Sequence, residues 1–313
     1  MPLRTLVVVN PASRGGATRK RFDGLLPQIR AALGDCDVEW TRGPRDAERI
    51  AREAVRAGVE RIVVAGGDGT VSEVATGILA ADLGRYAELA VLPLGTGGDL
   101  RRTLGVPGEM GAALDAIARG STRTLDAGRV TYTDRSGRPA TVFFLNIASF
   151  GISGLTTELV NRAPKSLGGR VSFLLGTLRG IVRYRAADHP VLLRLDGAVV
   201  HRGPVALGAA ANGRYFGGGM HVAPDARPDD GLLDVIVIPG LPKLRLVKEL
   251  PGIYGGRHVR VAGVLALRGK RLEAEPVDGA EPPWVEIDGE PLGRLPATFE
   301  ILPAAIRLVG TAA

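Results

Sequence analysis

Gly66-Gly67-Asp68-Gly69-Thr70 lies between an apolar run, Arg61 to Ala65, and a helical pattern marked by Val71, Val74, Ala75, Ile78 and Leu79. The first N–H groups of a helix have no partner inside it and carry the positive end of its dipole, so they attract phosphate oxygens. Glycines admit positive φ and let a phosphate reach backbone that a Cβ would shield. Thr70 adds a hydroxyl. Asp68 is the odd member, because a carboxylate repels phosphate unless it meets a metal ion or orients the loop. Glycines alone would indicate a tight strand-to-helix connection. An acid among them, with a threonine at the helix start, points to phosphate binding.

A second turn of the same composition, Pro93-Leu94-Gly95-Thr96-Gly97-Gly98-Asp99, follows the next apolar run. In an open α/β sheet, ligands sit beyond the carboxyl ends of the strands, so two such turns would converge on one ligand. A third, Asn10-Pro11-Ala12-Ser13-Arg14-Gly15-Gly16, follows the opening run. It reads either as a helix start capped by Ser13 or Thr18, or as a further nucleotide contact. In the second half, Ala223 to Leu232 gathers Asp225, Asp229 and Asp230 near Gly217-Gly218-Gly219-Met220. Asp230-Gly231 fits a hairpin corner, and the cluster equally fits a hard divalent cation. Ile287-Asp288-Gly289-Glu290 fits a hairpin tip, or a general base that takes a proton from an attacking hydroxyl.

The elements that must position these groups differ between the two halves. Up to about residue 123, strands alternate with helices: Thr5 to Val9, Val38 to Thr41, Arg61 to Ala65 and Leu89 to Pro93 are β-rich. Phe22, Leu25, Leu26, Ile29 and Leu33 mark one helical face, and Asp46 to Val59 forms a second helix. Such alternation indicates βαβ units and a mostly parallel sheet. From there on, short β-rich runs dominate: Leu125 to Tyr132, Val142 to Ala148, Val191 to Leu195, Pro204 to Ala211, Leu232 to Ile238 and His258 to Leu267. Helical patterns at Val171 to Tyr184 and Lys243 to Tyr254 interrupt them, and the whole predicts an antiparallel sandwich or barrel.

Composition narrows the partners. The chain has 313 residues, a hydrophobic fraction of 45% and a net charge of +7, which suits two ordinary globular domains. Basic residues are dispersed among acidic ones, without a zinc-finger or aromatic-basic pattern, so nucleic acid is not the expected partner; an anionic membrane surface or a phosphate ligand is. Cys36 is the sole cysteine and reads as a small buried residue. It allows no intramolecular disulfide or cysteine cluster, and a reducing, cytoplasmic setting is expected. The apolar run at Leu6 to Val9 is too short for a leader, and no run reaches the ~20 residues that span a bilayer.

Taken in order, these segments resemble the diacylglycerol kinase catalytic family, which includes bacterial lipid kinases, sphingosine kinases and ceramide kinases. The resemblance runs through Asn10 to Ser13, Gly66 to Glu73, Leu92 to Asp99, Asn146 with Gly151, Gly217 to Met220, Asp230 to Asp234, and Asp288 to Glu290. It implies an α/β N-terminal domain with a parallel sheet of the NAD kinase and phosphofructokinase kind, residues 1–123, to which a tail near 304–313 returns. It implies a β-rich antiparallel sandwich for residues 124–303 as the lipid-substrate domain, with the active site in the cleft between. The implied reaction is transfer of the γ-phosphoryl group of ATP, with Mg²⁺, to a lipid hydroxyl such as that of diacylglycerol. The product would enter phospholipid synthesis.

Carried over residue by residue, the nucleotide contacts fall on Asn10, Ser13, Thr41, Gly66, Gly67, Asp68, Gly69, Thr70, Glu73, Gly95, Thr96 and Asp99. A structural magnesium site would use Asp230 with the carbonyls of Arg227 and Leu232. Glu290 or Asp288 matches the general base, with Glu290 favoured, and Asp68 would position the loop or a catalytic Mg²⁺. The family's second loop usually has Asn where this chain has Gly98, which can still offer its backbone N–H. Two other readings stand beside this one: an NAD kinase-like phosphotransferase, and a non-catalytic nucleotide or lipid binder. A lipid acceptor further suggests peripheral contact with the inner membrane face through basic helices at 170–185 and 243–260. Oligomeric state and acceptor identity are open at this stage.

Overall fold

The computed structural model describes residues 3–81, 87–95, 98–134, 136–161 and 169–311, and Thr96 therefore lies outside the described residues. The chain divides into one unit of residues 1–127 with 303–313 and a second of residues 128–302. The break thus follows Ala127 where 123 was expected.

The first unit contains β1 (Thr5–Val9), α1 (Ala17–Leu33), β2 (Asp37–Trp40), α2 (Asp46–Arg56), β3 (Arg61–Gly66), α3 (Asp68–Ala80), β4 (Glu88–Pro93), α4 (Asp99–Leu104) and α5 (Met110–Ala118). Its strands are parallel in the order β2-β1-β3-β4. The carboxyl end of the last strand, β16 (Glu290–Val309), joins beside β4 through Arg307↔Glu88 and Leu308↔Leu89. Val7, Val63 and Leu92 are fully buried, as expected of a sheet covered on both faces. Phe22 and Ile29 of α1 pack on that sheet, while Leu25, Leu26 and Leu33 are only partly buried. Because β1, β3 and β4 run parallel, their carboxyl ends bring all three polar turns to one edge.

In the second unit, β5 (Thr122–Asp134), β6 (Pro139–Phe144), β7 (Ile147–Gly151), α6 (Ile152–Asn161), α7 (Gly169–Arg183), β8 (Pro190–Leu195) and β9 (Ala198–Ala211) come first. Next are β10 (Tyr215–Phe216), β11 (Met220–His221), β12 (Leu233–Pro239), α8 (Lys243–Tyr254), β13 (Leu265–Gly269), β14 (Arg271–Pro276) and β15 (Trp284–Ile287). Pairing is antiparallel and follows a circuit, β9-β7-β15-β16-β14-β8 and back to β9. Two long strands close it. The first part of β9, up to Pro204, pairs with β8, and Leu207 to Ala211 pairs with β7. Phe144, Phe150, Leu193, Val235 and Phe299 fill the core between the layers.

Three departures from the sequence reading have physical causes. The run Val142 to Ala148 is two strands, β6 and β7, separated at Leu145-Asn146. His258 to Leu267 begins as a short 3-10 turn, Arg257–Arg260, and only Leu265–Gly269 is strand. Strand β16 was not among the expected strands, and Pro291, Pro296 and Pro303 lie within it. A strand that changes partners along its length tolerates proline where no ladder bond is needed.

Candidate active site

The Gly66 and Gly95 turns touch through glycine backbone. A Cβ on Gly95 would lie 2.4 Å from Gly67 Cα, and one on Gly66 would lie 2.7 Å from the Thr70 side chain, so neither position accepts a larger residue without movement. Asn10 joins the first and third turns: its Nδ2 donates to Thr70 Oγ1 at 2.9 Å, and its Oδ1 accepts the Ala12 N–H at 2.9 Å. The glycine turns border a cavity of about 130 Å³ lined by Gly66, Gly67, Asp68, Gly95, Gly98 and Arg101. Helix α3 begins at this cavity, with Gly67 at its N-cap in extended conformation. The N–H groups of its first turn thus stand where an anion is favoured.

Asp68 has a defined partner set. Its Oδ2 accepts the backbone N–H groups of Gly98, Asp99 and Leu100 at 3.0, 2.9 and 3.3 Å. The carboxylate therefore orients the second turn, one of the two roles its composition suggested. The Gly98 N–H is consequently engaged with Asp68, which corrects the expectation that it is offered to phosphate. Asp99 is buried and accepts Arg102 Nη1 at 3.2 Å.

The other residues expected to contact nucleotide are spread more widely. Ser13 Oγ lies 2.5 Å from Thr18 Oγ1, and the N-cap of α1 is Gly16, so neither hydroxyl caps that helix. Thr41 is buried, its N–H donating to Val9 O at 2.9 Å, and it lines a second cavity with Pro11, Arg19 and Trp40. Glu73 turns towards α2, where its Oε2 accepts the Ala47 N–H at 3.2 Å. Gly69 is the second residue of α3, and an added Cβ there would meet open space. Arg101 was not singled out from sequence.

In the second unit, β15 and β16 form a two-residue hairpin across Asp288 and Gly289, with Ile287 opposite Glu290. Asp288 has φ 48 and Gly289 φ 89, the pair of positive values that a type I′ turn requires. The tip is docked on β7: Asp288 N–H donates to Ile147 O, and Asp288 Oδ1 accepts the Ile147 N–H, each at 3.2 Å. Glu290 is the exposed acid of the pair.

Below them lies Glu286, which sequence reading missed because one inward acid in an alternating strand gives no motif. It is 1% exposed; Oε1 accepts from Ser149 Oγ at 2.5 Å and Oε2 accepts the Gly289 N–H at 3.0 Å. Burial pushes its carboxyl up to about 7, opposed by those hydrogen bonds and reinforced by the charges of Asp288 and Glu290.

Around Asp230 the expected cation site has a guanidinium in it. Asp230 Oδ1 accepts the Leu232 N–H at 3.1 Å, and Oδ2 pairs with Arg268 Nη2. Arg268 Nε also lies 3.6 Å from Asp234 Oδ2. Burial raises the Asp234 carboxyl to about 6, with Arg268 opposing the shift. Arg227 is exposed, and among the described residues no three His, Cys, Asp or Glu side chains converge as a metal site. The Asp230 carboxylate expected to hold a magnesium ion is thus shared with Arg268 in this structure.

The second unit also holds an apolar groove that is partly open to solvent. Ile152 and Thr156 of α6, Thr177 and Ile181 of α7, Leu207 of β9, and Leu246 and Leu250 of α8 line it. Its few polar groups include Ser153 and His258, whose Nε2 is 2.9 Å from Val222 O. Such a groove suits aliphatic chains. No helix among the described residues is long and apolar enough to cross a membrane.

Comparison with known proteins agrees with both halves. Residues 4–130 match the diacylglycerol kinase catalytic domain, and residues 146–310 match the YegS C-terminal NAD kinase beta sandwich-like domain. A diacylglycerol kinase of Mycobacterium tuberculosis is 30% identical over 308 residues, covering 98% of this chain and 94% of that one. A "Probable lipid kinase YegS-like" protein of Pseudomonas aeruginosa is 37% identical over 278 residues, covering 87% and 82%. The solved structure of a Bacillus anthracis diacylglycerol kinase shares the fold, with a TM-score of 0.71 at 23% identity over 98% of this chain and 97% of that one. With the glycine turns, the hairpin acids and a match along nearly its whole length, this chain belongs to the diacylglycerol kinase catalytic-domain family and is a lipid kinase, a phosphotransferase with an alcohol acceptor.

Proposed function

We propose that the chain transfers the γ-phosphoryl group of ATP to the hydroxyl of a lipid alcohol of the diacylglycerol type. The observation that carries this reading is the apolar groove of the second unit, whose lining suits acyl chains better than a sugar or a nicotinamide. The first α3 N–H groups and the glycine turns would hold the nucleotide phosphates, with Asn10 fixing Thr70 beside them. Asp68 acts as a positioning residue through the backbone of the second turn.

Glu290, the exposed acid of the hairpin, would take the hydroxyl proton, while Asp288 holds the tip against Ile147. A divalent cation such as Mg²⁺, carried in with the nucleotide, would neutralise phosphate charge during transfer. Barrier lowering then comes mainly from orientation and from fixed donors around the phosphates.

Access to the acceptor favours peripheral contact with an anionic membrane, in a cytoplasmic setting. Val182 of α7 and Leu244 of α8 are 65% and 84% exposed, and Lys243 Nζ donates to Val182 O, so the end of α7 meets the start of α8. Arg179, Arg183, Arg185, Arg245 and Lys248 are exposed on the same helices or just beyond them. Ile181 faces the groove, so α7 divides its apolar residues between inside and outside.

Assay of the purified protein with radiolabelled ATP and a panel of lipid alcohols in mixed micelles tests the reading. Label in an organic-phase lipid phosphate is expected. Label appearing only in NADP would replace it with NAD kinase activity, and nucleotide binding without turnover would leave a sensor.

A further inference from the structure

Gly98, on the second glycine turn, contributes neither group that could face a phosphate. It has no side-chain amide, and its N–H is donated to Asp68. The next two N–H groups, of Asp99 and Leu100, go to the same carboxylate oxygen. Its φ of 131 is a conformation that L side chains rarely adopt, so an Asn here would be strained.

Arg101 stands in the space left over. A Cβ on Gly98 would lie 3.4 Å from Arg101 Nε and 3.5 Å from Nη2, and a Cβ on Gly108 would lie 3.2 Å from Nη1. The guanidinium is therefore seated between two glycines. Nη1 donates to Val106 O at 2.9 Å, which anchors the arm. The side chain lines the same cavity as Gly66, Gly67 and Asp68. Its neighbour Arg102 is paired with Asp99, whereas among the described residues no carboxylate forms an ion pair with Arg101. An arginine held by one carbonyl, with Nε and Nη2 beside the side-chain-free Gly98, is a fork of donors suited to phosphate.

We propose that Arg101 makes the phosphate contact that Gly98 cannot make, binding the polyphosphate of the nucleotide on the Gly66–Thr70 turn. The proposal rests on the reading of that cavity as the donor-nucleotide site. It couples positions 98 and 101: a side chain at 98 and the guanidinium of 101 compete for one space.

Calorimetric titration of the full chain with ADP, tripolyphosphate and adenosine decides the matter, using wild type, Arg101→Ala, Arg101→Gln, Gly98→Asn and Gly98→Asn/Arg101→Ala. Removal of a charge-assisted hydrogen bond predicts about tenfold weaker binding of ADP and of tripolyphosphate by Arg101→Ala, with adenosine unchanged. Arg101→Gln, which keeps a donor for Val106, should show the same weakening and serves if the alanine variant does not fold. Gly98→Asn alone should weaken ADP binding, and removing Arg101 from that variant should weaken it no further.

Tripolyphosphate and ADP binding within twofold of wild type in both Arg101 variants would overturn the proposal, as would an equal weakening for adenosine. A wild type that binds tripolyphosphate through Arg101 but no nucleotide would remove the nucleotide reading and leave Arg101 in its role. A wild type that binds neither would remove both.

Discussion

Asp68 Oδ2 accepts the backbone N–H of Asp99 at 2.9 Å, so an acid on the first glycine turn caps the helix that the second turn begins. This gives the carboxylate among the glycines a structural role: its charge is held by three N–H groups of the second turn. Asp68→Ala leaves those donors without an acceptor. It should cost about 1–3 kcal/mol of stability and lower kcat by roughly ten- to a thousandfold, because the second turn is no longer held in register. Asp68→Asn keeps one acceptor and should fall between. Chemical denaturation and ATP turnover check both, and full activity of the alanine variant would contradict the role.

Gly95→Ala tests the contact between the turns. The added methyl would lie 2.4 Å from Gly67 Cα, so one turn must move. Overpacking of this kind costs about 1–3 kcal/mol, and nucleotide binding should weaken more than lipid binding. Thermal melting and ADP titration report the two effects separately. Gly69→Ala, which meets open space, is the control and should leave stability nearly unchanged.

The buried acid Glu286 makes stability depend on pH in a definite direction. Its folded pKa of about 7 lies above the ordinary 4.5, so between those values the folded state holds a proton that the unfolded state has released. Stability from this group is therefore greatest below about pH 4.5 and declines as pH rises to about 7. The full decline is about 3 kcal/mol. Glu286→Gln cannot ionise and should gain on wild type by up to that amount between pH 5 and pH 8. Urea unfolding of both proteins at the two pH values measures the gap, and a gap independent of pH would refute the assignment.

Filling the apolar groove should affect the lipid and spare the nucleotide. Thr177 lines the groove from α7 and is only partly buried, so Thr177→Trp can occupy the space with little disturbance of the core. KM for the lipid alcohol should rise several-fold, while KM for ATP stays at the wild-type value. An unchanged lipid KM would place the acceptor elsewhere.

Val182→Asp combined with Leu244→Asp removes exposed apolar surface and adds negative charge beside exposed arginines and lysines. Binding to vesicles containing anionic phospholipid should drop about tenfold or more in a flotation assay, with turnover of a soluble short-chain acceptor retained. Equal flotation of variant and wild type would rule this face out as the contact.

Much of the architecture was legible because it follows from local rules. Parallel strands that end in glycine turns announce themselves through β-rich runs and through residues that only a turn tolerates, so the Gly66 and Gly95 turns were readable. The Asp288-Gly289 tip was readable as well, since type I′ turns favour that dipeptide. Strand β16 escaped, because its prolines obey a partner change that no local pattern encodes.

At the site itself, residue types were determined by the sequence alone and roles by the tertiary structure. Sequence sufficed to mark an acid between glycines, a second glycine turn ending at Gly98 and two acids at a hairpin tip, because backbone conformation near glycine is a local property. Only the fold decided that Asp68 serves the backbone of the other turn, that Asp230 meets Arg268, and that Glu286 is sealed from water. Those facts depend on contacts between residues 30, 38 and 137 positions apart, for Asp68 with Gly98, Asp230 with Arg268 and Ser149 with Glu286. Desolvation and hydrogen-bond partners at such separations arise only when the chain has packed.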